Sequence, residues 1–168
     1  MTRVFLDRAQ LRGEVATITG ADAHHLLHVL RLQVGDSFVA VAEDGREYTA
    51  QIVKTERGGL QARLGTPRQR DTEAHMRLTI YHGLPRLPRY ETALRMCTEL
   101  GVTSFVPMLT RRSVIKLSDD ERARKAARWR RIVEAAARQC GRVCIPAVSE
   151  PLDFEQALEH FQQTGLPG

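Results

Sequence analysis

Between residues 111 and 142 the chain places 11 basic and 4 acidic side chains, and nine of the basic ones are arginine. Arginine carries a planar fork of donors that bonds phosphate bidentately, so such a run points to polyanions rather than to solubility alone. Arg124, Arg128, Arg131 and Arg138 recur at helical spacing along one side. Ala126, Trp129, Val133, Ala136 and Cys140 recur along the other. One side therefore packs while the other offers guanidinium groups in a row, the pattern of a nucleic-acid-binding helix. A solvated charge face is the alternative. Other chemistry is poorly supplied. His24, His25 and His28 form H-H-x-x-H, but no further ligand or glutamate is spaced to complete a metal site, so none is expected. Cys140 and Cys144 are too few thiolates for structural zinc, and Cys97 reads as packing on an amphipathic helix. No nucleophilic triad has a recognisable spacing, and G-x-G-x-x-G and Walker A loops are both absent. Trp129 lies on the apolar stripe and reads as core rather than as a base-stacking platform.

The elements that must position these residues fall into two stretches. In residues 1–71, Val4-Phe5-Leu6 starts a strand, and Asp22 caps a short helix over Ala23–Leu32 that ends near Gly35. Ser37–Ala42, Tyr48–Lys54 and Leu60–Leu64 are strands, joined by the hairpin signal Asp44-Gly45 and the turn Gly58-Gly59. Short strands with one helix predict a compact β-barrel. Residues 66–74 are polar and aperiodic, a linker. From residue 72 the pattern becomes strand (Leu78–His82), helix (Tyr90–Leu100, closed by Gly101) and strand (Thr103–Leu109). The basic helix follows, opened by the capping box Ser118-Asp-Asp-Glu121 and stopped at Gly141. Ala147-Val148 is a short third strand, and Asp153 caps a last helix over Phe154–Phe161. Alternation of this kind predicts an α/β unit with a parallel sheet.

Composition sets the outer limits. The chain has 168 residues and a net charge of +5, with 42% hydrophobic and 27% charged side chains. That is too apolar for a disordered polycation. Residues 143–168 hold no basic and 4 acidic side chains, so the basic segment carries more than the whole net charge. No run approaches the roughly 20 apolar residues of a membrane span, and no membrane partner is expected. The N-terminus lacks a secretory apolar region. Three cysteines are an odd and sparse set, which fits a reducing, cytoplasmic setting.

Taken together, several stretches resemble the RsmE family, SPOUT methyltransferases that modify N3 of a uridine in 16S rRNA. His25-Leu-Leu-His-Val-Leu-Arg31 resembles the family's H-x-x-x-V-L-R segment, followed by Val34-Gly-Asp36. Thr98-Glu-Leu-Gly-Val102 and Val106-Pro-Met-Leu109 resemble the E-L-G-V helix end and its following strand. Arg111-Arg-Ser-Val-Ile-Lys116 resembles S-E-R-S-V-V-K. Trp129-Arg-Arg-Ile, Glu134-Ala-Ala-Ala-Arg-Gln139 and Arg142 resemble R-W-x-x-I-x-x-E-A-x-x-Q-x-x-R, with Ile145-Pro146 after them. The chain departs from the family at Pro85–Tyr90, where members carry K-G-x-R-M, and at Met96, where they carry lysine.

The resemblance implies a PUA-like RNA-binding β-barrel over 1–71 and, over 72–168, the first part of a SPOUT domain. The family's G-P-E-G-G loop and L-R-x-E-T-A segment, which hold S-adenosylmethionine in a knot, would lie beyond Gly168. The reading is thus of a truncated chain that binds this cofactor little by itself, from a parent protein that is a cytoplasmic homodimer acting on the small ribosomal subunit. Uridine N3 must lose or loosen its proton before it accepts a methyl group, and cationic donors near O2 and O4 stabilise the charge that develops. Arg112, Arg138 and Arg142 are the candidates, with Gln139 orienting the base. Arg3, His25 and Arg31 in the barrel, and Arg86, Arg89, Arg111, Arg124, Arg128 and Arg131 beyond it, are the candidate RNA contacts. Two other readings stay open: an RNA-binding module without chemistry, and a protein-interaction domain that meets acidic partners.

Overall fold

The computed structural model of the chain describes residues 2–69, 72–113 and 115–165. Two compact units divide it, Met1–Thr72 and Glu73–Gly168, and the whole is mixed α/β.

In the first unit, β1 (Arg3–Leu6), β2 (Leu11–Arg12), β3 (Val15–Thr19), β4 (Ser37–Ala42), β5 (Arg46–Glu56), β6 (Gly59–Leu64) and β7 (Arg68–Gln69) share one sheet. Its order is β1-β4-β5-β6-β3-β2, with β7 on β5, and only the β1–β4 pair is parallel. β1 and β2 end the path without pairing to each other, so the curled sheet is a half-barrel. Alternation explains why it holds. Ala16 and Ile18 of β3, and Leu60, Ala62 and Leu64 of β6, turn inward onto Val4, Leu6, Phe38 and Ile52. β2 and β7 are two-residue strands too short to show a period, and β7 occupies part of the stretch read as linker.

The helix of this unit also differs from expectation. α1 (Gly20–His24) begins after Thr19 rather than Asp22 and runs into a π-turn over His25–Val29. Leu30 N–H donates to the His25 carbonyl at 2.9 Å, and Arg31 then adopts φ 56°. The helical period thus breaks at His25, and the chain leaves the helix at Leu30 instead of Leu32.

The second unit is built on a parallel sheet of β8 (Thr79–Gly83), β9 (Ser104–Leu109), β10 (Ala147–Val148) and β11 (Leu152–Asp153). β9 is central. β8 flanks it on one side, and β10 and β11 pair in turn with its first and last residues on the other. α2 (Leu87–Glu99) starts three residues earlier than its apolar period suggests, because Pro88 sits in its first turn, where a missing N–H costs nothing. α3 (Asp119–Cys140) is closed by Gly141 at φ 84°, and α4 (Phe154–Thr164) is capped by Asp153. Tyr90 and Leu94 of α2, Trp129 and Val133 of α3, and Phe105 and Val148 of the sheet form the core. Trp129 is fully buried, edge-on to Tyr90 with ring centroids 4.8 Å apart. Cys140, assigned to the packed stripe, is exposed, and Ala137 takes its place inside.

Candidate nucleic-acid interface

α3 holds its basic side chains outward because its opposite side is spoken for by the core. At its start, the Ser118 N–H and hydroxyl donate to the Glu121 carboxylate at 2.9 and 3.0 Å. Those bonds, the backbone one first, hold Glu121 below the ordinary carboxylate range. On the outer face Arg124, Lys125, Arg128 and Arg131 line a shallow cleft of about 430 Å³. Arg131 is exposed and has no carboxylate partner among the described residues. Its neighbours in the row are less free. Arg124 lies 3.9 Å from Glu121. Arg128 donates from Nε and Nη2 to the two oxygens of Glu91, at 2.7 and 3.0 Å, and so ties α3 to α2. Arg138 donates to Glu134 at 2.5 Å, one turn back. The row is therefore a lattice of cations braced by fewer acids, still positive in sum.

A second basic feature lies where β9 ends. Residues 110–113 and 115–117 follow its carboxyl end, and several of them wall a cleft of about 720 Å³ with the start of α4. Arg111, Lys116 and Arg122 line that cleft, along with apolar Leu109, Ile115 and Phe154. Arg122 is held by Asp153 at 3.0 Å and by the Pro151 carbonyl at 2.9 Å, whereas Arg111 and Lys116 have no acidic partner among the described residues. The loop is stiffened locally, since Thr110 N–H donates to Ser113 Oγ at 2.9 Å. Ligands in open α/β sheets bind outside the carboxyl ends of the strands, where this cleft sits.

The residues proposed to act together on a base are not brought together. Arg112 is exposed on the loop at the carboxyl end of β9. Arg138 and Gln139 lie near the other end of α3, roughly 28 Å from its start at 1.5 Å per residue. Arg142 is at that far end too, and it points inward. It is 4% exposed and donates to the Thr98 and Val102 carbonyls at 3.1 and 2.6 Å. Its Nε and Nη2 both donate to Glu73, at 3.0 and 2.5 Å. A base cannot reach a guanidinium so enclosed, and Arg142 instead closes the unit's core. Glu73 also accepts the N–H groups of Val143 and Cys144. No sequence signal marks Glu73, in a polar stretch, as an anchor. Lys116 and Arg122 also escape sequence reasoning as cleft residues, although Lys116 belongs to the segment carrying the family resemblance.

In the first unit, His25 and Arg31 are exposed, on the π-turn and just after it. Arg3 is not at the surface: its side chain is 9% exposed and is paired with buried Glu47. It sits on the face of β1 opposite the core residues Val4 and Leu6, against a buried carboxylate, so it serves the sheet. In the second unit, Arg86 and Arg89 are exposed at the start of α2. Among the described residues, no group of acids, histidines and cysteines could hold a metal ion, and no helix is long and apolar enough to cross a membrane. The three cysteines are unpaired.

Comparison with known proteins matches both units to families. A family model described as an RNA methyltransferase domain covers residues 72–166, and one described as an RNA methyltransferase PUA domain covers 18–65. The chain is 37% identical over 157 residues to the ribosomal RNA small subunit methyltransferase E of Synechocystis, covering 94% of this chain and 50% of that protein. It is 30% identical over 165 residues to the Bacillus subtilis protein of the same name, covering 96% and 64%. The chain thus spans half to under two-thirds of these relatives. A crystal structure of the Neisseria gonorrhoeae enzyme of that name, bound to S-adenosyl methionine, superposes with a TM-score of 0.86 at 25% identity, over 100% of this chain and 67% of that one. With its C-terminal unit matched almost throughout and its relatives sharing one name, this chain belongs to the RNA methyltransferase family that contains the RsmE enzymes.

Proposed function

We propose that the protein is an S-adenosylmethionine-dependent methyltransferase, acting in the cytoplasm on N3 of a uridine in 16S rRNA, and that the full-length protein is a homodimer. The observation that carries the RNA part is the unbraced Arg111–Lys116 pair in a cleft at the carboxyl end of β9, beside the outward row of α3. Arg111 and Lys116 hold phosphodiester oxygens there. Exposed Arg112, next along the loop, donates to uracil O2 or O4 and stabilises the negative charge that grows as N3–H is lost. Arg86 and Arg89, with Arg124, Arg128 and Arg131, extend the backbone contact, and Arg138 and Gln139 contact RNA at the other end of α3. His25 and Arg31 do the same from the first unit.

The described residues do not suit the cofactor itself. Its sulfonium is a cation, and the cleft at the carboxyl end of β9 sets three basic side chains, Arg111, Lys116 and Arg122, against two acids, Glu155 and an Asp153 committed to Arg122. We propose that this 168-residue chain alone binds S-adenosylmethionine weakly and is inactive. That feature also favours a second reading, a non-catalytic RNA-binding module. Radiolabelled methyl transfer to small-subunit rRNA, followed by nuclease digestion and mass spectrometry, separates the two for the full-length protein. N3-methyluridine supports the enzyme, a methyl on another atom overturns the N3 assignment, and binding without transfer supports the module. Loss of transfer in Arg112→Ala with unchanged RNA binding is the expected sign of its role. For the chain alone, tight cofactor binding by calorimetry overturns the expectation of weak binding.

A further inference from the structure

A cleft of about 870 Å³ in the first unit has the opposite character to the basic surfaces of the second. It is mostly apolar. Leu27, Leu32 and Val34 line it together with His24, His28 and the Thr55–Gly59 turn. The two imidazoles stand 4.9 Å apart, tilted by 44°, and both are exposed rather than packed. Arg57 lies on the rim, and the single acid of the lining, Glu56, is neutralised by Lys54 at 2.7 Å.

The backbone around this cleft is unusual on two counts. His24 and His28 straddle the switch from α1 to the π-turn, a rare irregularity that recurs at functional sites. Arg31, just beyond, is the one described non-glycine residue with positive φ, a conformation that costs free energy and needs the surroundings to hold it. On the facing turn, a side chain at Gly59 would meet the Ile18 carbonyl at 2.8 Å, so the backbone there is closely fitted.

We propose that this cleft receives one unpaired nucleobase of RNA, with its face on the His24 and His28 rings and its phosphate at Arg57. Planar bases stack on imidazole whatever their sequence, the apolar side chains of the lining lose water as a base seats on them, and a rim cation takes the charge that every nucleotide brings. A hydrocarbon ligand would leave the two imidazoles and Arg57 without a role. A duplex, with its bases stacked on one another, could not enter. The proposal rests on the reading that this chain binds RNA, and it adds a base-stacking subsite in the first unit to the contacts proposed above.

The test titrates the 168-residue chain with short single-stranded RNA, with the same RNA carrying abasic sites throughout, and with duplex RNA. The variants are His24→Ala/His28→Ala, whose side chains are exposed, and separately Arg57→Ala. The histidine variant is expected to weaken single-strand binding by about tenfold while leaving abasic and duplex binding unchanged. Arg57→Ala is expected to weaken the single strand and the abasic strand alike. If the wild-type chain binds single-stranded RNA and the histidine variant binds it equally well, the base subsite is wrong although RNA binding stands. If the wild-type chain binds none of the three RNAs, the RNA-binding reading fails and the subsite with it. Circular dichroism of each variant confirms that the comparison is between folded proteins.

Discussion

Arg142 and Glu73 form the most consequential pair of side chains in the second unit. The arginine is enclosed and its donors are shared between one carboxylate and two carbonyls. Removing one member of such a pair strands the other without its partner, at a cost of about 3–5 kcal/mol. Arg142→Met is therefore expected to lower the urea midpoint sharply, and Arg142→Met/Glu73→Leu to recover part of the loss. The pair also sets a pH dependence. Partial burial raises the Glu73 carboxyl, but the Arg142 guanidinium and the N–H groups of Cys144 and Val143 outweigh it and hold the carboxyl below its ordinary value. A lowered folded value means that stability is fully present above the unfolded glutamate value, about 4.3. It is lost as pH falls through the folded value. Unfolding curves at about pH 6 and about pH 3 should differ less in Glu73→Gln than in the wild type. The sequence could not show any of this. Arg142 and Arg131 are the same residue type in the same basic run, and only the packing of Thr98, Val102 and Glu73 around one of them separates an anchor from a contact. Arg3 makes the same point, since its partner Glu47 lies 44 positions away.

At the level of elements, legibility followed length and local signals. The boundaries of α3 were readable because a capping box, an apolar stripe and a left-handed glycine all lie in or directly beside its 22 residues. The π-turn was not readable, because His25-Leu-Leu-His-Val29 has ordinary helical composition and nothing in it marks a change of hydrogen-bond period. β2, β7 and β11 are two residues each and exist only through their partners. The candidate site divided in the same way. The outward row of α3 was visible in the spacing of its arginines, whereas their braces on Glu91 and Glu134 depended on tertiary and next-turn geometry. Two substitutions weigh these contributions. Trp129→Ala removes a fully buried indole from between α2, α3 and the sheet and is expected to cost about 3–5 kcal/mol. Arg128→Ala breaks a well-aligned pair, but the arginine side chain is 63% exposed, so water and salt screen the pair and the expected loss is far smaller than that for Trp129. Denaturant unfolding of both variants separates packing from surface charge as the source of this helix's position.

Across the whole molecule, charge is divided as unevenly as structure. Residues 1–71 hold 10 basic and 9 acidic side chains, while residues 72–168 hold 15 and 11, with the excess concentrated between 111 and 142. Backbone contact releases counterions from RNA, and the logarithm of affinity then falls linearly with the logarithm of salt concentration, in proportion to the phosphates neutralised. If the second unit supplies the backbone contacts, Arg131→Ala and Lys116→Ala should each reduce that slope, by about 1 for each phosphate that is no longer neutralised. Arg142→Met, which removes an enclosed cation, should leave the slope unaltered in a protein that is still folded. His24→Ala/His28→Ala should weaken single-strand binding at every salt concentration by the same factor, because a stacked base carries no counterions of its own. A slope that falls with the histidines and holds with Arg131 and Lys116 would overturn both the stacking role of the histidines and the phosphate-holding role of Arg131 and Lys116. Parallel salt titrations of these four variants against one single-stranded RNA read both terms at once. Affinity at a single salt concentration would merge them.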